Sequence, residues 1–228
     1  MASVDASNDP RPLVVVGTGD HARVVLELLQ SVRRVALGLV EPLRPLVGPP
    51  VVVDGTAVVG DLASDLAWSD AGPDFVVALG DNRRRAEIYQ RCVELGCRPI
   101  PLVHATATVL GQAVVEPGAQ VCAGAVVGVA ARIGRDAIVN TSASVDHDVV
   151  VGDHAFIAPG ARLAGRVIVG EGAFVGIGAV VRQGITIGPW ALVAGGAVVV
   201  ADVPPSWSVA GVPATRMEAL SPEGRDES

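Results

Sequence analysis

From Val109 to Val199 an aliphatic residue recurs at every sixth position, through Val115, Val121, Val127, Ile133, Val139, Val145, Val151, Ile157, Leu163, Val169, Val175, Val181, Ile187 and Val193. Four residues after nearly every member comes a second small or aliphatic side chain, as at Ala113, Ala125, Ala137, Ala143, Ala155, Ala173 and Ala191. Such a period fits neither the roughly 3.6 residues of an amphipathic helix nor the roughly 2 of a single strand, so it describes a short strand and a corner, repeated. Three units close a triangular coil of about eighteen residues, and stacking coils about 4.8 Å apart pairs each strand in parallel with the same face above and below. The aliphatic column then points inward, and the unbroken run leaves no room for an inserted loop. Gly111, Gly124, Gly128, Gly152, Gly170, Gly176, Gly188 and Pro117 fall where the unit turns, so positive φ or a fixed turn is expected there.

The residues before the repeat follow a different rhythm. Leu13–Val16 is a continuous apolar run, Gly17-Thr18-Gly19-Asp20-His21 a glycine turn, and residues 22–30 carry Val25, Leu28 and Leu29 at helical spacing. Residues 35–40 read as a second strand, 51–53 as a short third, 74–79 as a strand ending at Gly80-Asp81, and 84–95 as a helix closed by Gly96. This alternation predicts a small Rossmann-like parallel α/β domain, in which ligands bind beyond the carboxyl ends of the strands. Gly17 and Gly19 would let backbone N–H groups approach an anion at a helix N-terminus. A dinucleotide reading can be pressed, because Glu41 lies 24 residues after Gly17, but Ala22 stands at the third glycine position and no dehydrogenase domain follows. The expected organisation is a flexible start at 1–12, the α/β domain at 13–103, a parallel β-helix at 104–217 and a flexible tail at 218–228.

Composition narrows the chemistry. The chain has 228 residues, 50% of them hydrophobic, with 27 glycines, which fits a soluble globular protein of two modest domains. No run approaches the roughly twenty apolar residues of a membrane span. The start carries no basic region followed by an apolar core, so no signal peptide is read and a cytoplasmic location is expected. Cys92, Cys97 and Cys122 have no metal-type spacing and are expected to be reduced and structural. A net charge of -7 argues against nucleic acid as the main partner. All 17 basic residues are arginine, which excludes Schiff-base chemistry and a P-loop lysine.

The repeat resembles that of the left-handed β-helix acyltransferases, and the hand comes from that resemblance. Four further motifs accompany it in order: Val16-Gly17-Thr18-Gly19-Asp20-His21-Ala22, Val77-Ala78-Leu79-Gly80-Asp81-Asn82, Asn140-Thr141-Ser142-Ala143-Ser144-Val145-Asp146-His147-Asp148 and Val209-Ala210-Gly211-Val212-Pro213-Ala214. Together, over residues 13–217, they resemble the sugar O- and N-acyltransferases of the sialic acid O-acetyltransferase, bacillosamine and perosamine N-acetyltransferase group. The resemblance implies a homotrimer that binds a nucleotide-linked aminosugar in the N-terminal domain and acetyl-CoA as co-substrate in a groove between subunits. It also implies roles: His147 as general base with Asp148 beside it, Asn140 and Asp146 lining the same site, and Gly17, Gly19, His21, Glu41, Asp81 and Asn82 in the sugar-nucleotide pocket.

His147 also stands out on chemistry alone. Transfer of an acetyl group from a thioester needs a group that takes the acceptor proton, and histidine titrates in the right range. Val145 points inward, so His147 falls on the outer surface near a corner, flanked by two acids. For the cofactor the candidates are Gly165, Gly176, Gly178 and Gly195, which leave clearance for a pantetheine arm, Arg216 for the CoA phosphates, and His154. Phe156 stands where the bacillosamine enzymes resemble one another in carrying a second histidine. A zinc site would need three spaced histidines, and His147 and His154 are unaccompanied in the coils, so no metal is expected. The stretch Val40-Glu41-Pro42 is compatible with UDP, GDP or dTDP, and the acceptor with an amine or a hydroxyl. The segment around His147 is closest to the N-acetyltransferases, which favours the 4-amino group of a 4-amino-4,6-dideoxysugar. Sialic-acid-type O-acetylation, a non-catalytic sugar-nucleotide scaffold and an NAD-binding protein are the alternatives.

Overall fold

The computed structural model describes residues 11–42, 51–62 and 72–217. The expected flexible tail at 218–228, and all but Arg11 and Pro12 of the expected flexible start, lie outside the described residues. In the N-terminal domain β1 (Leu13–Val16) sits centrally. Around it lie α1 (Asp20–Ser31), β2 (Gly38–Glu41), β3 (Val52–Val53), β4 (Thr56–Asp61), β5 (Asp74–Val77), α2 (Asn82–Glu94) and β6 (Arg98–Pro99), and the sheet order is β3-β4-β2-β1-β5-β6. A sheet covered on both faces needs apolar residues at successive positions, which is why LVVV reads as an unbroken run. Leu13 and Val15 join Val25, Leu28 and Leu29 of α1, whereas Val14 and Val16 join Tyr89 and Cys92 of α2.

Two differences from the sequence reading are local. The second strand begins at Gly38, and Val35 and Leu37 are exposed after Arg33 enters the left-handed region at φ 56°. The reading also lacks β4, which pairs with β2 in parallel and with β3 in an antiparallel hairpin. Asp54 and Gly55, at φ 45° and 79°, make the turn, and Asp-Gly favours that conformation.

The β-helix starts at Leu102–Val103, which pairs with Gln120–Val121 and so lies two residues ahead of the expected boundary. Its short strands stack as three parallel sheets in an eighteen-residue register, for example Val126 on Ser144 on Arg162. Face one runs from Leu102–Val103 through Gln120–Val121, Ile138–Val139 and Phe156–Ile157 to Ser208–Ala210. Face two carries Ser144–Val145 and face three Val150–Val151. The six-residue column and its alanine companions fill the interior, with Val121, Val127, Ile133, Ala137 and Ala143 all fully buried.

The corners correct the sequence reading. Of the eight positions expected to turn the chain, only Gly124 has positive φ. The left-handed residue is the third after each inward aliphatic from Val109 to Val193, and the position accepts Gln112, Asp136, Ser142, Asp148, His154 and Trp190 as well as glycine. Gly128, Gly152, Gly170, Gly176 and Gly188 are required for another reason: a Cβ on any of them would lie 2.4–2.7 Å from backbone of the next coil. Close stacking, not turning, selects them.

Cys92, Cys97 and Cys122 are free and buried, and burial pushes the Cys122 thiol up to about 12. No helix among the described residues is long and apolar enough to cross a membrane.

Candidate active site

The edge between faces two and three carries the exposed histidine. After Ser144–Val145 the chain turns through residues 146–149 into Val150–Val151. Asp146 Oδ1 accepts the His147 backbone N–H at 2.7 Å. Asp148 occupies the left-handed position, φ 56°, and its carboxylate meets His147 Nδ1 at 2.8 Å. A carboxylate only accepts, so Nδ1 carries a proton, and in the neutral ring the lone pair is on Nε2. The ring lies over Gly165 of the next coil, where a Cβ would come within 2.4 Å of Nε2. Gly165, expected to face the cofactor, thus also makes room for the imidazole. The His147 side chain is 48% exposed. Beside it a groove of about 320 Å³ runs along face two, lined by Gly128, Asp146, Arg162, Leu163, Ala164 and Val180 among others.

The residues expected to hold the sugar nucleotide lie elsewhere, under the α/β domain. Gly17, at φ 139°, lets two strand ends approach, since a Cβ there would meet the Ala78 carbonyl oxygen at 2.5 Å. Gly19 precedes α1 with open space where its Cβ would be. Glu41 Oε2 accepts the Thr18 hydroxyl at 2.6 Å and braces this turn. His21 Nε2 donates to Gln120 Oε1 at 3.0 Å, an orientation set by Gln120 Nε2, which donates to the Val77 carbonyl at 2.8 Å. Burial lowers the His21 pKa below its ordinary 6.5. Asp81 caps α2 by accepting the Arg84 N–H at 2.9 Å, and Asn82 donates to the carbonyls of Gly172 and Ala173.

Face one is therefore the seat of the α/β domain. The edge bearing His147, between the other two faces, is the edge opposite it. The remaining candidates are scattered. Asn140 stands on the edge between faces one and two, where its side-chain oxygen accepts from the Thr141 backbone N–H at 2.7 Å. Gly176 and Gly178 lie on that same edge, the former stacked against the Gly195 nitrogen and the latter in the left-handed region. Gly195 gives room to the Ile177 side chain. Arg216 is at the last strand with its guanidinium over Trp207, 4.3 Å from the ring centroid. His154 is neither exposed nor beside His147: its Nδ1 meets Asp136 Oδ2 at 2.9 Å on the edge between faces three and one.

Sequence reasoning missed Arg85, Asp136 and Gln120, all fully buried. Nothing in the run Arg83-Arg84-Arg85 sets the third arginine apart, and Gln120 sits at an outward strand position where polarity is ordinary. Among the described residues no group of three His, Cys, Asp or Glu side chains stands close enough to hold a metal ion.

Comparison with known proteins follows the same division. Residues 12–92 match the PglD N-terminal domain, and residues 130–165 match the bacterial transferase hexapeptide family. A mutant of perosamine N-acetyltransferase from Caulobacter crescentus, in complex with CoA and GDP-perosamine, is 36% identical with a TM-score of 0.84, covering 93% of this chain and 100% of that one. The acetyltransferase domain of PglB from Neisseria gonorrhoeae FA1090, in complex with acetyl coenzyme A, is also 36% identical with a TM-score of 0.83, covering 91% and 99%. The chain belongs to the hexapeptide-repeat sugar N-acetyltransferases. The acetyltransferase fold is the expected one, a small α/β domain followed by a left-handed β-helix. WeeI from Acinetobacter baumannii AYE shares it at 23% identity and a TM-score of 0.81. No curated protein gives a significant match.

Proposed function

We propose that the protein transfers the acetyl group of acetyl-CoA to the 4-amino group of a nucleotide-linked 4-amino-4,6-dideoxysugar, with His147 as general base. The observation that carries this reading is the His147–Asp148 pair, exposed beside a groove with Nε2 free and Nδ1–H held by a carboxylate. The neutral amine attacks the thioester carbonyl carbon as Nε2 takes the amine proton, a C–N bond forms, and the tetrahedral intermediate expels the CoA sulfur. The imidazolium, stabilised by Asp148, returns the proton to the thiolate, giving the amide and free CoA. A backbone N–H beside the groove is the natural donor to the oxyanion. The likeness to a structure bound to GDP-perosamine favours GDP as the nucleotide.

The active unit is a homotrimer. His147 stands on the edge opposite the face that seats the α/β domain, so within one chain the base and the proposed sugar pocket are kept apart by the β-helix itself. A second copy must supply one of the two. A panel of GDP-, UDP- and dTDP-linked 4-aminosugars with acetyl-CoA, scored by free thiol, tests the reading. Thiol release fastest with a GDP-linked 4-amino-4,6-dideoxysugar is expected, and no release with any member would overturn it.

A further inference from the structure

Beneath α2 lies a polar cluster that the proposed chemistry does not use. Arg85 is fully buried, and five acceptors on four residues surround its guanidinium. Nε donates to the carbonyl and to Oδ2 of Asp136, both at 3.1 Å. One terminal nitrogen donates to the Leu79 carbonyl at 3.2 Å and to Asn82 Oδ1 at 2.9 Å, and the other to the His154 carbonyl at 2.6 Å. Asp136 Oδ2 also meets His154 Nδ1, while its Oδ1 has no hydrogen-bond partner. Tyr89 closes the cluster edge-on against the His154 ring.

The geometry has a direction. Asp136, His154 and Gly172 are the left-handed residues of three successive coils on one edge, each a coil above the last. Arg85 binds the first two, and Asn82, itself held by Arg85, binds the Gly172 carbonyl. Arg85 thus ties Asp136 and His154 of the β-helix to Leu79 and Asn82, the two ends of the segment that follows β5 at its carboxyl end. That is where an α/β sheet of this kind binds its ligand. A guanidinium suits the task because its fixed fork serves several acceptors at once, which an ammonium cannot reproduce.

We infer that Arg85 is a positioning residue: held by Asp136 and His154, it fixes the 79–82 loop on the β-helix and thereby sets where the bound sugar nucleotide lies. This rests on the proposed function for its kinetic consequence, but the clamp itself is a property of the fold. Arg85→Lys keeps the charge and removes the fork. Hydrogen exchange of the variant should speed up at residues 79–84 and at the corners 134–137 and 152–155, leaving the coils beyond residue 175 unchanged. In steady-state kinetics the KM for the sugar nucleotide should rise about tenfold or more, in line with the cost of small misplacements, while the KM for acetyl-CoA stays put. Asp136→Asn, which keeps the shape and weakens the hold on Arg85, should give the same split to a smaller degree. Unchanged exchange at 79–84 overturns the clamp. Exchange that quickens while the sugar-nucleotide KM stays fixed, or while both KM values rise alike, overturns the positioning role. A wild-type protein that acetylates no aminosugar sinks the proposed function instead, and exchange alone then decides the clamp.

Discussion

Two edges of the same prism carry an Asp-His pair, and the repeat treats them alike, yet they do opposite things. On the edge between faces two and three, Asp146-His147-Asp148 leaves the imidazole half-exposed with one carboxylate and a free Nε2. On the edge between faces three and one, Arg85 and Tyr89 of the α/β domain cover His154, which pairs with the buried Asp136 and becomes part of a polar network. The left-handed position that delivers Asp148 to His147 Nδ1 is, one corner later, occupied by His154 itself. A solenoid offers chemically equivalent corners. What docks on each face decides which corner can work on a substrate and which one holds the molecule together.

The contrast can be broken experimentally, starting where the effect should be largest. His147→Asn should lower turnover by about 10²–10⁴-fold, the usual worth of a general base, with thermal stability near wild type. A variant that keeps wild-type turnover would remove His147 from the chemistry. On the covered edge the expectation reverses. Arg85→Met leaves the buried Asp136 carboxylate without its guanidinium, with only His154 beside it, and should cost about 3–5 kcal/mol in denaturant unfolding. A loss below about 1 kcal/mol, the scale of an exposed pair, would mean the network contributes little to stability.

Gly165→Ala pushes a methyl group against the His147 ring. Since displacements of about 1 Å cost up to about 10²-fold, turnover, measured by thiol release, should fall steeply. Asp148→Asn should be milder, roughly five- to tenfold in turnover, because the pair is exposed and worth about 1 kcal/mol. The smallest effect concerns pH. Burial lowers the His21 pKa, so the folded state holds fewer protons than the unfolded one, and the stability involved is present above pH 6.5 and lost as pH falls below it. The melting temperature should therefore drop more for wild type than for His21→Gln between about pH 7.5 and about pH 5.5. Parallel curves would contradict the assignment.

The β-helix was legible because burying one residue in six leaves a period that nothing else produces. Its corners were misread for a physical reason. Glycine is needed most where coils touch, at Gly128 and Gly170, whereas the left-handed turn tolerates Asp148 and Trp190. Strand β4 was missed although Asp54-Gly55 favours a hairpin, because its sequence TAVVGD is mostly uncovered and ends in Gly60 and Asp61, so it carries no continuous apolar run. His147 could be read from its place in the repeat. Arg85 could not, since its partners lie 51 and 69 residues away and only the docked domains bring them together. Nor could the separation of the proposed base from the proposed sugar pocket be seen in one dimension, as it depends on which face of the prism the first domain covers.

That separation is the central claim, and subunit complementation tests it most directly. His147→Asn removes the proposed base. Gly19→Val puts a branched side chain into the open space before α1 where an anion would approach, at a position where a Cβ meets nothing within 4 Å. Each variant alone should release thiol from acetyl-CoA at least about 10²-fold more slowly than wild type in the presence of the preferred aminosugar nucleotide. Co-expressed and purified as mixed oligomers, they should recover activity, because an intact base on one copy faces an intact pocket on another. A mixture as inactive as its parents, from oligomers shown to contain both chains, would contradict a site built between subunits.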